Sequence, residues 1–296
     1  MLMQVDFPLY HQPVFRPPAE ADSLIVQVTH GCSRNTCRFC GMYKGVKYET
    51  LDREYIEYWL DRLPRVIFGG ARRVFLADGN AMCVGFPWLR EILTLLNKKF
   101  RGLRRVTIYA TPADILNYQA EELAELKSLK LWMAYIGLET GCNELLKKTG
   151  KQGSAEDFGQ ALAMLRQAGI RSSVTAILGL GGKEFTNRHS EDTADAVNKG
   201  RPDYFSLLTL IRGGNEEFIA SIKQLTVREV FLELRRIVER IETRTIFRTN
   251  HASNILQLEG TLPDDRLRIL FEIDTILRSS EEFLDREPGF FGESGY

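Results

Sequence analysis

Three of the chain's five cysteines, Cys32, Cys37 and Cys40, fall inside nine residues of the segment Gly31-Cys32-Ser33-Arg34-Asn35-Thr36-Cys37-Arg38-Phe39-Cys40-Gly41-Met42-Tyr43. Gaps of four and then two residues in a tight loop can aim three thiolates at one point, and thiolates are the ligands of iron–sulfur clusters and of structural zinc. Structural zinc takes four protein ligands, so His30, Cys83, Cys142 or a distant histidine would have to complete the set. An iron–sulfur cluster with three protein ligands instead leaves one iron open to a substrate or cofactor. The flanking residues favour the open cluster. Arg34, Arg38 and Lys44 offset the thiolate charge, and Phe39 and Tyr43 shield the loop from water. An odd cysteine count with three crowded together also suits metal ligation in a reducing compartment better than a disulfide framework.

A reactive loop of this kind needs a rigid frame, and the rest of the chain supplies one. Its 296 residues, 44% hydrophobic and 26% charged, are the proportions of a folded globular protein. Six short runs rich in β-branched and apolar residues read as strands: Ser23–Thr29, Arg73–Ala77, Arg105–Ala110, Leu131–Leu138, Arg171–Leu178 and Asp203–Leu210. Amphipathic segments alternate with them, at residues 54–67, 88–98, 120–126, 154–168 and 190–198. Two more helices follow at 226–240 and 263–280. Ser154, with Asp157 three residues on, carries the start signal of a helix that Gly169 closes. Strands that are apolar throughout and separated by helices argue for an α/β fold with a parallel sheet. Six units are two short of a closed barrel, so a curved partial barrel and an open doubly wound sheet both satisfy the pattern.

In such folds chemistry collects at the carboxyl ends of the strands. Those ends read His30-Gly31-Cys32, Asp78-Gly79-Asn80, Thr111-Pro112-Ala113-Asp114, Glu139-Thr140-Gly141, Gly179-Leu180-Gly181-Gly182-Lys183-Glu184 and Arg212-Gly213-Gly214-Asn215. Loops of any protein are polar and glycine-rich, but six in a row beside a cysteine cluster point to a site.

The charge balance narrows the partners. Lys plus Arg equals Asp plus Glu at 39 each, which gives no global attraction to nucleic acid or anionic membrane. Arg101, Arg104 and Arg105 form only a small basic patch, best read as a solvated face. No stretch approaches the roughly 18 apolar residues of a spanning helix, and residues 1–18 lack the apolar core of an export signal. A soluble, cytoplasmic protein is expected.

The cysteine loop after the first strand resembles that of the radical S-adenosylmethionine superfamily, with four residues in the first gap where three are usual. Asp78-Gly79-Asn80 sits where that superfamily has its Gly-Gly-Glu-like segment. Tyr135-Ile136-Gly137-Leu138-Glu139-Thr140-Gly141, followed by Leu145-Leu146-Lys147-Lys148, resembles a stretch shared by oxygen-independent coproporphyrinogen oxidases, the elongator catalytic subunit and tRNA methylthiotransferases. Ala176 to Glu184 resembles the same branch's fifth-strand motif, with Gly181 where proline is usual.

The resemblance implies a partial (β/α)6 TIM-like barrel over residues 23–215, flanked by an N-terminal extension (1–22) and a C-terminal helical extension (216–296) on or across the barrel. It implies a radical enzyme with a [4Fe-4S] cluster on Cys32, Cys37 and Cys40. The open iron would chelate S-adenosylmethionine, whose reductive cleavage gives a 5′-deoxyadenosyl radical that takes hydrogen from substrate. The implied cofactor contacts are Asp78, Gly79 and Asn80 for the methionine ammonium and Lys151 for its carboxylate. Glu139 would serve ribose or ammonium, and Thr111, Thr175 and Gly179 lie along the neighbouring strand ends. Each has a plainer reading. Asp78 and Asn80 suit a simple turn, Lys151 a solvated helix-end charge and Thr175 ordinary barrel filling. Cys83 and Cys142 are too few for a second cluster and read as free thiols.

On the substrate side the candidates are His189, Arg248, Asn250, His251 and Asn254. The substrate expected is a small molecule or peptide, and the electron donor a one-electron reductant such as flavodoxin or ferredoxin. Two other readings remain: a non-enzymatic zinc or iron–sulfur module, and a radical enzyme that modifies nucleic acid, which the balanced charge disfavours.

Overall fold

The computed structural model describes residues 10–288 apart from 64–66, 68 and 69. Its strands are β1 (Leu24–Gln27), β2 (Thr29–His30), β3 (Glu49–Thr50), β4 (Arg73–Ala77), β5 (Arg105–Ala110), β6 (Leu131–Glu139), β7 (Arg171–Leu178), β8 (Tyr204–Thr209), β9 (Thr245–Arg248) and β10 (Glu259–Leu262). Eight of them make one sheet in the order β1-β4-β5-β6-β7-β8-β9-β10, while β2 and β3 form a separate antiparallel pair. β1 runs parallel to β4 and β4 to β5. β7 runs parallel to β8 and β8 to β9, and β10 is antiparallel to β9. The fold is therefore α/β with a mostly parallel sheet, as a partial TIM-like barrel requires.

By contact density the chain divides into two compact units. One comprises residues up to Asn35, 42–135 and 164–171. The other comprises residues 36–41, 136–163 and 172 onward.

In the first unit Val74-Phe75-Leu76-Ala77 are all buried, which explains why β4 is apolar at every position after its exposed Arg73. Phe75 meets the rings of Tyr109 and Tyr135 edge-on, with centroids 4.9 and 6.1 Å away. Burying a side chain such as Phe75 contributes about 1.5–3 kcal/mol. The N-terminal extension adds a buried carboxylate, since Glu20 accepts a 2.6 Å hydrogen bond from the Tyr135 hydroxyl. The first expected strand is split, because the chain leaves the sheet after Gln27. Val28 then bonds on both sides, its N–H to Ala77 and its carbonyl to the N–H of Leu51.

In the second unit the helix Val227–Arg240 lays Val230, Phe231, Leu234, Ile237 and Val238 against the helix Gly182–Gly200. The expected cap of residues 154–168 is realised: the Ser154 hydroxyl accepts the Asp157 N–H at 3.1 Å, and the Asp157 carboxylate accepts the Ser154 N–H at 2.9 Å. Two expectations are corrected. The helix expected at 190–198 begins at Gly182, because the Lys183 N–H finds its partner in the Lys223 carbonyl and the glycine run is thereby held in helix. The segment after residue 216 is also not purely helical, since β9 and β10 extend the sheet. β9 is only four residues long, and β10 contains Glu and Gly, which are depleted in strands.

Candidate cofactor site

Asp78 follows β4 directly and is fully buried. Its N–H donates to the Thr29 hydroxyl at 3.2 Å, and its Oδ2 accepts from the Gln27 side-chain amide at 2.9 Å. Its Oδ1 makes no hydrogen bond of ordinary length, the Tyr43 hydroxyl and the Gly31 N–H being the donors around it. Burial pushes the Asp78 carboxyl up to about 6, against smaller opposite pulls from Gln27, Tyr43 and the His30 charge. Asn80 ties this strand end to the cysteine loop. Its amide donates to Ser33 Oγ at 2.8 Å and to Asp114 Oδ2 at 2.9 Å, and its carbonyl oxygen lies 3.7 Å from Cys32 Sγ. Gly79 has to be glycine, because a Cβ there would stand 2.5 Å from the Cβ of Cys32. Thr111 spends its hydroxyl on a capping box with Asp114, at 2.6 Å, for the short helix Pro112–Ile115. Arg34 lies 3.6 Å from the Asp114 carboxylate.

Cys32 belongs to the first unit, and Cys37 and Cys40 to the second. Among the described residues no three His, Cys, Asp or Glu side chains form a group close enough to hold a metal ion. Cys37 and Cys40 pack against an apolar cluster of Phe39, Cys142, Leu145, Leu180, Phe185 and Phe218. Their half of the loop is clamped by backbone. The Arg38 N–H donates to the Thr149 carbonyl at 2.8 Å, and the Asn215 amide donates to the Phe39 carbonyl at 2.7 Å. Gly41 lies so near Gly213 that a Cβ would stand 1.6 Å from its carbonyl oxygen.

Lys151, largely buried, pairs with Glu139 at 3.0 Å. Burial alone would lower its ammonium, but Glu139 and the negative charge of Cys37 and Cys40 outweigh it and raise the group above its usual value. The solvated reading of Lys151 is thus excluded. Glu139 ends β6 with φ +63°, a left-handed conformation rare for glutamate. Gly179, with φ +77°, ends the β7 motif, and a Cβ built on it meets nothing within 4 Å. Thr175 lies within β7, half-buried and in register with Ser206 of β8.

The substrate-side candidates do not converge. His189 is corrected: it is fully buried, with Nδ1 2.8 Å from the Thr140 hydroxyl and Nε2 3.6 Å from Glu233, an interior position. Arg248 is strand rather than loop and pairs across to Glu259 at 3.0 Å. Asn254 ties its loop to β8 through the Leu207 carbonyl and the Thr209 hydroxyl. Asn250 is exposed. His251 is half-buried against Ser253, with its imidazole pulled below its usual value by desolvation. The sequence reading missed Glu233, although a glutamate at i+3 from Val230 and i−4 from Ile237, on the apolar stripe of its helix, was the available signal. It also missed Gln27, which holds Asp78, and named Asp114 only as part of a strand end, where it holds Asn80.

The family model of the radical SAM superfamily matches residues 26–197, more than half of the chain. No curated protein matches. Among solved structures the fold is similar to the cobalamin-dependent S-adenosylmethionine radical enzyme OxsB, with aqua-cobalamin and S-adenosylmethionine bound (TM-score 0.53, 17% identity, 91% of this chain and 39% of that one). It is similar to methylornithine synthase (PylB) (0.52, 15%, 86% and 81%). It is also similar to TsrM from Kitasatospora setae, a radical S-adenosylmethionine methyltransferase with cobalamin and a [4Fe-4S] cluster bound (0.51, 19%, 63% and 36%). The chain thus spans little more than a third of TsrM. No helix among the described residues is long and apolar enough to cross a membrane. By its sequence match over more than half its length, this chain belongs to the radical SAM superfamily.

Proposed function

We propose that the chain carries a [4Fe-4S] cluster on Cys32, Cys37 and Cys40, binds S-adenosylmethionine along the ends of β4, β6 and β7, and acts on a small molecule or peptide. The observation that carries this is the largely buried Lys151 paired with Glu139 at 3.0 Å, whose ammonium is held above its usual value by Glu139 and by Cys37 and Cys40. The donor set fits the group: two thiols packed against an apolar cluster suit a group that must be kept from water, and an odd cysteine count with three crowded together suits a reducing compartment such as the cytoplasm. The orphaned Oδ1 of Asp78 fits an ammonium, because a buried acceptor without a partner costs about 1–3 kcal/mol that a cationic donor would recover.

When bound, the reduced cluster and S-adenosylmethionine supply one-electron carbon–sulfur cleavage and a hydrogen-abstracting nucleoside. The protein's part is binding and exclusion. Asp78 accepts the ammonium and Lys151 faces the carboxylate, with Glu139 keeping it charged. Gly79 and Gly179 admit close approach, and Phe39 with its apolar neighbours keeps water out. Asn80 and Thr111 hold the loops through Asp114, Thr175 lines β7, and Asn250 and His251 are the two substrate-side candidates not tied to a strand. The electron donor in this reading is a flavodoxin or ferredoxin.

The test is anaerobic reconstitution with iron and sulfide, reduction, addition of S-adenosylmethionine and mass spectrometry for 5′-deoxyadenosine. Product from the wild type and none from Cys37→Ala is expected. Stoichiometric zinc with no 5′-deoxyadenosine would overturn the reading.

A further inference from the structure

Glu233 lies on the helix Val227–Arg240, beyond the residues that the family model matches, and is fully buried. It has no lysine or arginine partner among the ion pairs of the described residues. Both its oxygens are engaged. Oε1 accepts the backbone N–H of Gly179 at 2.7 Å, and Oε2 accepts the Thr186 hydroxyl at 2.6 Å. The other end of the same peptide is also held, because the Leu178 carbonyl accepts the Leu210 N–H at 3.0 Å. The peptide between Leu178 and Gly179 is therefore fixed at its oxygen and its nitrogen, while the Cα face of Gly179 opens onto free space.

A second arm reaches the end of β6. His189 stands 3.6 Å from Glu233 Oε1 and 2.8 Å from the Thr140 hydroxyl, which in turn accepts the Cys142 N–H at 3.0 Å. Desolvation lowers the His189 imidazole, and its Nε2 makes no hydrogen bond. The Glu233 carboxylate thus grips the turn after β7, with a ring tied to the turn after β6 beside it. A leucine at this point of the apolar stripe would serve packing alone. A buried acid that grips a glycine N–H serves the loop.

We infer that Glu233 is a positioning residue for the nucleoside end of S-adenosylmethionine, holding the Gly179 peptide so that the open glycine face receives the base. This rests on the binding site proposed above. Without the carboxylate the Gly179 N–H loses its acceptor, and glycine, free to adopt either sign of φ, no longer keeps the face open.

The experiment measures equilibrium binding of S-adenosylmethionine, 5′-methylthioadenosine and L-methionine to the reconstituted full chain. In Glu233→Ala, affinity for the first two is expected to fall tenfold or more. L-methionine affinity and cluster absorbance should be unchanged, and Glu233→Gln, which keeps an acceptor for Gly179, should recover to within threefold. Should Glu233→Ala fail to fold, Thr186→Val, which removes only the second anchor of the carboxylate, is expected to weaken 5′-methylthioadenosine about threefold. Equal affinities in the variants, or parallel loss of methionine and nucleoside, would overturn the positioning role while leaving the binding reading intact. A wild type that binds no S-adenosylmethionine would overturn both.

Discussion

At the end of β4, Asp78 is buried with one carboxylate oxygen unpartnered. Glu233, just as buried, gives both oxygens to donors that belong to the fold. The two acids face the same desolvation cost and meet it differently. Glu233 is satisfied within the chain and needs no ligand, which is the condition of a scaffold group. Asp78 is left half-satisfied and protonates more readily than an ordinary aspartate, which is the condition of a group waiting for a cation. Glu139 is a third case, its carboxylate already matched by Lys151. Buried charge alone therefore does not mark a ligand contact; an unmet acceptor does.

The largest effect is expected where a matched pair is broken. Lys151→Met leaves Glu139 without a counter-charge, which for a fully buried pair costs about 3–5 kcal/mol. With the two side chains 14% and 12% exposed, a loss of about 2–3 kcal/mol in urea unfolding is expected. A loss under about 0.5 kcal/mol would show that the pair is solvated and the contrast with Asp78 unreal.

Asp78→Asn should act with the opposite sign on the apo protein, stabilising it by about 1–2 kcal/mol at pH 7 because an unmet charge is removed. The same variant should weaken S-adenosylmethionine binding at least tenfold. The pH dependence follows from the raised carboxyl. The folded protein holds the proton more tightly than the unfolded chain does, so this contribution favours the fold near pH 4 and is lost as pH rises through about 6. The difference in urea midpoint between wild type and Asp78→Asn should accordingly shrink on going from pH 7 to pH 4. His189 runs the other way. Its lowered imidazole stays neutral in the fold while the unfolded chain takes up a proton, so its contribution is present above about 6.5 and fades below. A midpoint difference independent of pH would remove Asp78 from the role given it.

The smallest effect sharpens the contrast from the scaffold side. Thr226 caps the helix that carries Glu233, its hydroxyl taking the Glu229 N–H at 3.3 Å. Thr226→Ala should cost about 1 kcal/mol in thermal or urea unfolding. S-adenosylmethionine affinity should stay within twofold, since the cap lies two turns from the glutamate.

The legible part of this protein is local. Apolar runs such as Arg73–Ala77 and Arg171–Leu178 became strands at the bounds read for them, because parallel strands bury both faces and leave a continuous signature. Ser154 with Asp157 formed the expected cap, because capping needs only residues three apart. The cysteine spacing and the polar strand ends gave the family. Short or poorly patterned elements were not legible: β9 and β10 carry four residues each and are held as strands by their neighbours. His189 read as a substrate-side candidate because a histidine among polar residues looks the same from sequence whether its helix face is turned in or out.

By itself the sequence determined which thiols, glycines and carboxylates the strand ends carry, since those follow from residue type and spacing along one strand or loop. Only the tertiary structure decided which of them are already spent. Thr111 went to a cap, Asn254 to the end of β8 and Glu233 to the Gly179 peptide, while one oxygen of Asp78 went to nothing. The reason is physical. Hydrogen-bond satisfaction in a desolvated interior is settled by residues such as Gln27 and Asp78, or Gly179 and Glu233, that lie about fifty positions apart in the chain and meet only when it is folded.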